Sequence, residues 1–344
     1  MNLIVHAPNV HQGGGRVLLL ALLRALDGRH PYSAQLDARF AAEVELAHAT
    51  ALIRVEPSIA QRLAAEVRLR RLAQPGDRVL CFGNLPPLFR QRSRVILYLQ
   101  NRYLIEAAPT SGFALAVRIR LAAERMWLKS RIRTVDSMLV QSPSMQREAE
   151  KQLGMRARIL SFAPQSAATA RHDGMRPDTA HAVFLYVASG EPHKNHARLI
   201  DAWRLLAMDG LRPTLWLTLD PQAYPALVEL AEQGRLRHGL DIRNAGTASA
   251  PRLAQLYREA DALIYPSTME SLGLPLIEAR GAGLPILAAE RDYVRDVADP
   301  EQSFDPESPI SIARAVRRFL ERPEARESPL SPDEFVRRLL APDD

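Results

Sequence analysis

The chain has 344 residues, 47% of them apolar, and 45 Lys+Arg against 39 Asp+Glu give a net charge of +6. This apolar content excludes a disordered chain, and a single cysteine, Cys81, excludes a disulfide framework or a cysteine metal site. No run approaches the roughly 18 apolar residues that a membrane-crossing helix needs, and the start, Met1 to Ala7, has no basic segment followed by a long apolar one.

At about 150 residues per domain the length points to two domains. The expectation is a cytoplasmic protein, with any membrane association peripheral. Residues 1–165 hold 24 Lys+Arg against 12 Asp+Glu, and residues 166–344 hold 21 against 27, leaving the halves at +12 and −6. Such asymmetry suggests a basic half facing an anionic partner, either a membrane surface or nucleic acid. An arginine-rich composition with solvated helices explains it equally well.

Leu3 to Ala7 reads as a buried strand, and Gly13-Gly14-Gly15 lead into a helix from Arg16 to Leu26. Strand, glycine loop and helix open a nucleotide-type α/β domain, but three consecutive glycines are neither G-x-G-x-x-G nor a Walker loop. Apolar runs recur at 51–55, 78–82, 95–99, 137–140 and 157–160, alternating with helical patterns at 59–73, 113–129 and 144–153. This alternation predicts a parallel sheet covered on both faces, with ligand loops at the strand ends: Gly83-Asn84 and Gln100-Asn101-Arg102-Tyr103. The helix over 113–129 carries Arg118, Arg120, Arg125 and Lys129 with Phe113 and Trp127, followed by Arg131 and Arg133. It reads first as a solvated surface helix and second as a face for an anionic bilayer.

Residues 164–180 are rich in Gln, Ser, Ala, Thr, Gly and Pro and read as a linker. A second α/β series follows, with strands over 183–188, 214–219 and 241–243 and helices over 195–207, 224–235 and 250–260. After its first strand comes Ser189-Gly190-Glu191-Pro192-His193-Lys194. Lys194 is one of only three lysines against 42 arginines, which makes it a poor candidate for a random solubilising charge. Asn244 to Thr247 follow the short strand as a loop. A capping box at Ser331 to Glu334 predicts a terminal helix over 335–340.

The richest stretch runs from Tyr265 to Glu290: strand, loop, helix, turn, strand. Pro266 ends a ladder, Pro275 suits the first turn of a helix, and Gly281 and Gly283 stop it. The N–H groups of Ser271, Leu272, Gly273 and Leu274 then lie where a helix begins, which favours an anion such as a diphosphate, and Gly273 allows close approach. Glu278, a turn further on, can accept hydrogen bonds from a ribose diol, and Glu270 faces whatever lies beyond the phosphates. A nucleotide sugar has that order of groups. Lys194, as a compact ammonium, would then stabilise the departing diphosphate.

The run Pro266-Ser-x-x-Glu270-Ser-x-Gly273-x-Pro275-x-x-Glu278-Ala279 resembles the signature of the retaining glycosyltransferases of family 4, the group 1 glycosyltransferases. The resemblance implies a GT-B fold: two Rossmann-like α/β domains facing a central cleft. Its expected parts are an acceptor-binding domain over 1–165, a linker over 166–180, a nucleotide-sugar domain over 181–325 and a C-terminal helix over 326–344 that crosses back. It implies Lys194 and Glu270 as catalytic residues. Ser189, Gly190, Asn244, Gly246, Ser271, Leu272, Gly273, Leu274 and Glu278 would bind the donor, and Gly13, Gly14, Gly15, Gln100 and Asn101 would face the acceptor and cleft.

The family commonly has an arginine five residues before the lysine. Here that position is Ser189, so either local N–H groups or an arginine such as Arg16 would replace it. With no D-x-D triplet and no H-E-x-x-H, the expectation is a metal-independent enzyme without a cofactor. Its reaction would be retaining hexosyl transfer from a UDP- or GDP-sugar to a glycan or lipid-linked acceptor, in assembly of bacterial surface polysaccharide or lipopolysaccharide. A non-catalytic assembly subunit is the runner-up. A nucleic-acid-binding protein ranks below it, because the chain lacks aromatic-basic interleaving and a basic recognition helix.

Overall fold

The structure, a computed structural model, describes residues 2–40, 46–106, 110, 112–163 and 182–320. The expected linker over 166–180 and terminal helix over 326–344 lie outside the described residues. The first sheet contains β1 (Leu3–Ala7), β2 (Tyr32–Asp37), β3 (Ala51–Val55), β4 (Arg78–Cys81), β5 (Arg94–Leu99), β6 (Ser137–Val140) and β7 (Ala157–Ile159). They are parallel in the order β3-β2-β1-β4-β5-β6-β7. The helices between them are α1 (Gly13–Leu26), α2 (Ile59–Leu72), α3 (Leu115–Arg131) and α4 (Pro143–Leu153). Val5, Ala34 and Phe82 pack with α1 on one face of the sheet. Ile4, Val79 and Leu97 pack with Leu69 of α2 and Leu121 and Leu128 of α3 on the other. Burial on both faces is why these strands read as unbroken apolar runs.

One strand escapes that reading. Tyr32–Asp37 is buried at all six positions although Ser33, Gln35 and Asp37 give it the composition of a loop. Its polar ends are partnered: Asn2 donates to Ser33 Oγ at 3.1 Å, and Arg39 grips Asp37 at 2.9 and 2.7 Å. The glycine run is also reassigned. It forms the first turn of α1 rather than a preceding loop, and of its three residues only Gly13, at φ +64°, needs glycine's freedom.

The second sheet contains β8 (Val183–Tyr186), β9 (Thr214–Leu217), β10 (Ile242–Asn244), β11 (Ala262–Tyr265), β12 (Ile286–Ala289) and β13 (Gln302–Phe304), parallel in the order β10-β9-β8-β11-β12-β13. Its helices are α5 (His196–Met208), α6 (Pro225–His238), α7 (Ala250–Glu259), α8 (Leu274–Gly281), α9 (Asp292–Arg295) and α10 (Pro309–Phe319). Trp203, Phe184, Leu199 and Ile312 are among the residues of its single core. In each sheet the strand order reverses beside the first strand, at β1/β4 and at β8/β11. Open α/β sheets bind ligands at such points.

Asn195 fixes the loop after β8. It is buried at φ +64°, and its side-chain amide donates to the carbonyls of Pro306 at 2.7 Å and Pro266 at 3.2 Å. Asn195→Ala forces an alanine into the left-handed region and strands two buried carbonyls, so urea unfolding should show a loss of about 2–4 kcal/mol. Asn195→Gly relieves the backbone term only and should fall between the two.

Candidate active site

The loops at the two reversal points face each other. On the second-domain side a cavity of about 630 Å³ is lined by Ser189, Lys194, Glu270, Ser271, Leu272, Gly273, Leu274 and Glu278, with Gly13, Gly14, Gly15 and Gln100 opposite. Gln100 and the glycines also line an adjoining cavity of about 950 Å³ in the first domain, together with Asn101 and Glu270. The first turns of α1 and α8 approach closely, a Cβ on Gly14 lying 3.5 Å from the Leu274 side chain. Neither helix start is capped by a side chain. Two positive helix ends therefore border one cavity.

Lys194 and Glu270 meet there, Nζ donating to Oε1 at 2.5 Å, and the Tyr265 hydroxyl donates to the same oxygen at 3.0 Å. Burial pushes the Glu270 carboxyl up, but the Lys194 ammonium, with His193, more than offsets this and holds it below the usual carboxylate range. Glu278 behaves oppositely: burial raises it, and the Tyr257 hydroxyl, donating at 2.8 Å, compensates only in part. Glu191 lines both cavities. It accepts hydrogen bonds from the Ser189 hydroxyl and, at 2.9 Å, from Tyr224. Burial raises its pKa, and those two hydroxyls bring it below the usual range. His193 is pushed down by burial and then by Lys194.

Several expected site residues have other duties. Asn244 ends β10, and its amide is spent on the backbone of Leu219 and Gly246, at 2.9, 3.0 and 3.2 Å. Thr247 and Ala248 line the cavity instead of Asn244 and Gly246. Gly190 is constrained by its own neighbours, since a Cβ there would lie 2.4 Å from the Tyr224 ring. Arg16 stacks its guanidinium 5.9 Å over the Phe40 ring and does not line the smaller cavity. The arginine that does reach the corner is Arg102, which donates to the Glu270 carbonyl at 3.3 Å. Ser271 is occupied as a link between domains, donating to the Gln100 carbonyl while its own carbonyl accepts from Ser142 at 3.3 Å.

In the basic helix α3, Arg125 is removed from any surface patch by donating to the carbonyls of Tyr103 at 2.7 Å and Glu106 at 3.2 Å. Among the described residues no helix is long and apolar enough to cross a membrane.

The two glutamates predict opposite pH behaviour. Glu270 has a lowered pKa in the fold, so its contribution is complete above the unfolded value of 4.5 and is lost as pH falls through the lowered one. Glu270→Gln should cost on the order of 3 kcal/mol at pH 7, because it leaves a buried ammonium unpaired, and the deficit should shrink in acid. Glu278 has a raised pKa, so its ionised form opposes folding at neutral pH and the opposition fades as pH falls through the raised value. Glu278→Gln should be more stable than wild type at pH 7 and equal to it in acid. Urea melts across pH 3 to 8 read both.

Residues 171–329 match the sequence model of the family described as glycosyl transferases, group 1. The serotype-specific mannosyltransferase WbdA of Escherichia coli is 31% identical over 158 residues, covering 42% of this chain and 19% of WbdA. The matched stretch thus covers about a fifth of the length of that relative. Among solved structures, Anabaena HepE in complex with UDP and glucose superposes with a TM-score of 0.69 at 18% identity, covering 93% of this chain and 90% of that one. WaaG, a glycosyltransferase involved in lipopolysaccharide biosynthesis, superposes with a TM-score of 0.66 at 18% identity and the same coverage. The fold is therefore GT-B, and residues 171–329, most of the second domain, are similar in sequence to the group 1 glycosyl transferases.

Proposed function

We propose that the protein is a retaining, metal-independent glycosyltransferase that uses a nucleotide-diphosphate sugar, UDP- or GDP-linked. The observation that carries this reading is the convergence of Lys194, Glu270 and Glu278 with two uncapped helix starts on one cavity that opens into a second. The donor's diphosphate would lie against the first turns of α1 and α8, its ribose diol against Glu278, and its sugar at the junction beside Glu270 and Gln100. The acceptor hydroxyl attacks the anomeric carbon from the face the phosphate leaves, the bond from that carbon to the phosphate oxygen breaks, and the hydroxyl proton passes to the leaving phosphate.

Lys194 takes up charge as the diphosphate departs, and Glu270, at 2.5 Å, holds the ammonium in place for it. HepE was solved with UDP and glucose, WbdA is a mannosyltransferase, and WaaG acts in lipopolysaccharide biosynthesis. These support a nucleotide-sugar donor and a glycan or lipid-linked acceptor in bacterial surface polysaccharide assembly. A screen of UDP, GDP and their sugars by thermal shift, followed by turnover in excess EDTA, tests the reading. Lys194→Ala should bind donor within a few-fold of wild type and turn over about 100-fold more slowly. Nucleotide binding without turnover of any donor would favour a non-catalytic subunit.

We further propose that α3 rests on an anionic membrane. Leu115, Ile119 and Met126 fall on one stripe of that helix, 67%, 61% and 71% exposed, with Arg118, Lys129 and Arg133 exposed near them. Replacing Arg118, Lys129 and Arg133 by Ala should lower binding to phosphatidylglycerol vesicles at least tenfold at low salt, at about 1 kcal/mol per charge, and leave nucleotide binding unchanged. Equal vesicle binding by both proteins would remove the membrane from the account.

A further inference from the structure

The larger cavity contains a guanidinium that, among the described residues, no carboxylate contacts. Arg62, one turn into α2, lines that cavity with Ser58, Ile59, Leu63, Glu124 and Trp127. Its guanidinium carbon lies 5.7 Å from the centre of the Trp127 ring, and Trp127 is itself fixed by donating from its indole N–H to the Pro86 carbonyl at 3.0 Å. Among the described residues Arg62 has no hydrogen bond and no carboxylate within ion-pair distance, and its Nε is buried. Burial pushes the guanidinium's pKa down, although Glu66, Glu124 and Asp37 act on it from a distance.

Those three carboxylates have other attachments. Asp37 is gripped by Arg39 through both oxygens. Glu66 accepts from the Leu88 N–H at 3.0 Å and lies 3.2 Å from the His6 ring. Glu124 faces Arg120 at 3.9 Å. A cation taken partly out of water without a partner costs stability, and a fork of five donors stacked on an aromatic face is suited to a planar or tetrahedral oxyanion.

A second feature of the same wall agrees. The cavity is bordered by the start of α2, where Ser58 caps Gln61 and the first turn contains no acidic residue. The positive end of that helix is therefore not offset by its own sequence, and Arg62 lies directly behind it. At the mouth, Ile59 and Leu63 are 83% and 47% exposed, so the charged floor is approached past apolar side chains.

We propose that Arg62 is the anion-recognising group of the acceptor cavity, and that the acceptor carries a phosphate or carboxylate beside the hydroxyl that is glycosylated. This deepens the transferase reading and rests on its assignment of the larger cavity to the acceptor. The oxyanion would lie between the Arg62 fork and the first turn of α2, with the Trp127 ring holding the guanidinium flat toward it and Ile59 and Leu63 contacting the apolar part of the same molecule. Anionic acceptors would be selected over neutral ones of equal size by this contact.

The experiment uses the full chain with glucose 6-phosphate, glucuronate and glucose as probes, each titrated by saturation-transfer NMR with UDP or GDP in excess to fill the phosphate site around Lys194. Binding of the nucleoside diphosphate is measured first and bears on the transferase reading alone. In wild type, glucose 6-phosphate or glucuronate should bind at least tenfold more tightly than glucose, and which of the two is preferred identifies the anion. Arg62→Met should bring all three to the affinity of glucose, and Arg62→Lys should keep part of the preference. Arg62→Gln, with the same expected loss, serves if the methionine variant melts early. Equal affinities in wild type, or a preference that survives Arg62→Met and Arg62→Gln, would overturn the proposal.

Discussion

A largely enclosed ammonium and carboxylate, Lys194 and Glu270, 14% and 12% exposed, lie 2.5 Å apart between the loops that follow β8 and β11, and the cleft is arranged around that pair. Bringing two charges out of water costs several kcal/mol each, so the pair persists only because its surroundings complete it. Tyr265 donates to Glu270 from the end of β11, and Tyr186, at the end of β8, donates to the carbonyl of Lys194 at 2.5 Å. The adjacency of β8 and β11, through the register Leu263 to Leu185, is what brings both tyrosines within reach. Asn195 then ties the lysine loop to the Pro266 and Pro306 carbonyls. An ion pair supported on so many sides contributes position more than stability, and position is what a leaving-group cation needs.

Most of this corner was legible in the sequence, and the reasons are local. Pro266 and Pro275 restrict the backbone and Gly273 permits a φ of +72° at the helix start, so their spacing fixed where the strand stopped and the helix began. Lys194 was visible by scarcity. The parts that failed to show depended on where side chains point. Asn244 has the residue type and loop position of a base-contacting group, yet its amide closes its own turn. Gly190 makes room for Tyr224, 34 positions later, and no local pattern reports such an approach. Ser33 and Asp37 made a buried strand look like a loop, because a parallel strand can bury polar groups once partners from elsewhere, here Asn2 and Arg39, take up part of their bonding capacity. Arg62 carries no signature at all, since an arginine on a helix is ordinary until its lack of a carboxylate partner among the described residues is seen in three dimensions.

The smaller cavity, proposed for the donor, is less cationic than a diphosphate site would lead one to expect. Glu191, Asp220, Glu270 and Glu278 line it, against Lys194 as the only Lys or Arg among the described lining residues. The protein manages this by committing the carboxylates. Glu270 is neutralised by the lysine, and Glu191 is held by the Ser189 and Tyr224 hydroxyls. The serine at position 189, where the resemblance leads one to expect an arginine, restrains a carboxylate through its hydroxyl. The task of meeting negative charge falls on Lys194 and on the two helix starts, which supply N–H donors without a titratable group. Glu278 is the exception, left with a raised pKa and one tyrosine. That is a state in which oxygen lone pairs are left over for hydrogen bonds beyond the one from Tyr257.

The same corner also joins the domains. Glu270 offers its carbonyl to Arg102, Ser271 donates to the Gln100 carbonyl, and the Ser271 carbonyl accepts from Ser142. Three bonds from the first domain thus end on two consecutive residues of the second, immediately before the N–H groups that open α8. A fourth, from the Ser144 N–H to Asp296 at 3.0 Å, reinforces them from the neighbouring helix. Any displacement of one domain against the other must act on the peptide that carries the Glu270 side chain, and through it on Lys194. Occupancy of the larger cavity, walled by Arg102 and Tyr103, and the geometry of the ammonium at the smaller one are consequently linked through a single short segment. The chemistry proposed for this cleft requires an attacking hydroxyl and a departing diphosphate to be aligned at the same moment, and a shared backbone is the shortest mechanical route by which one cavity can bear on the other.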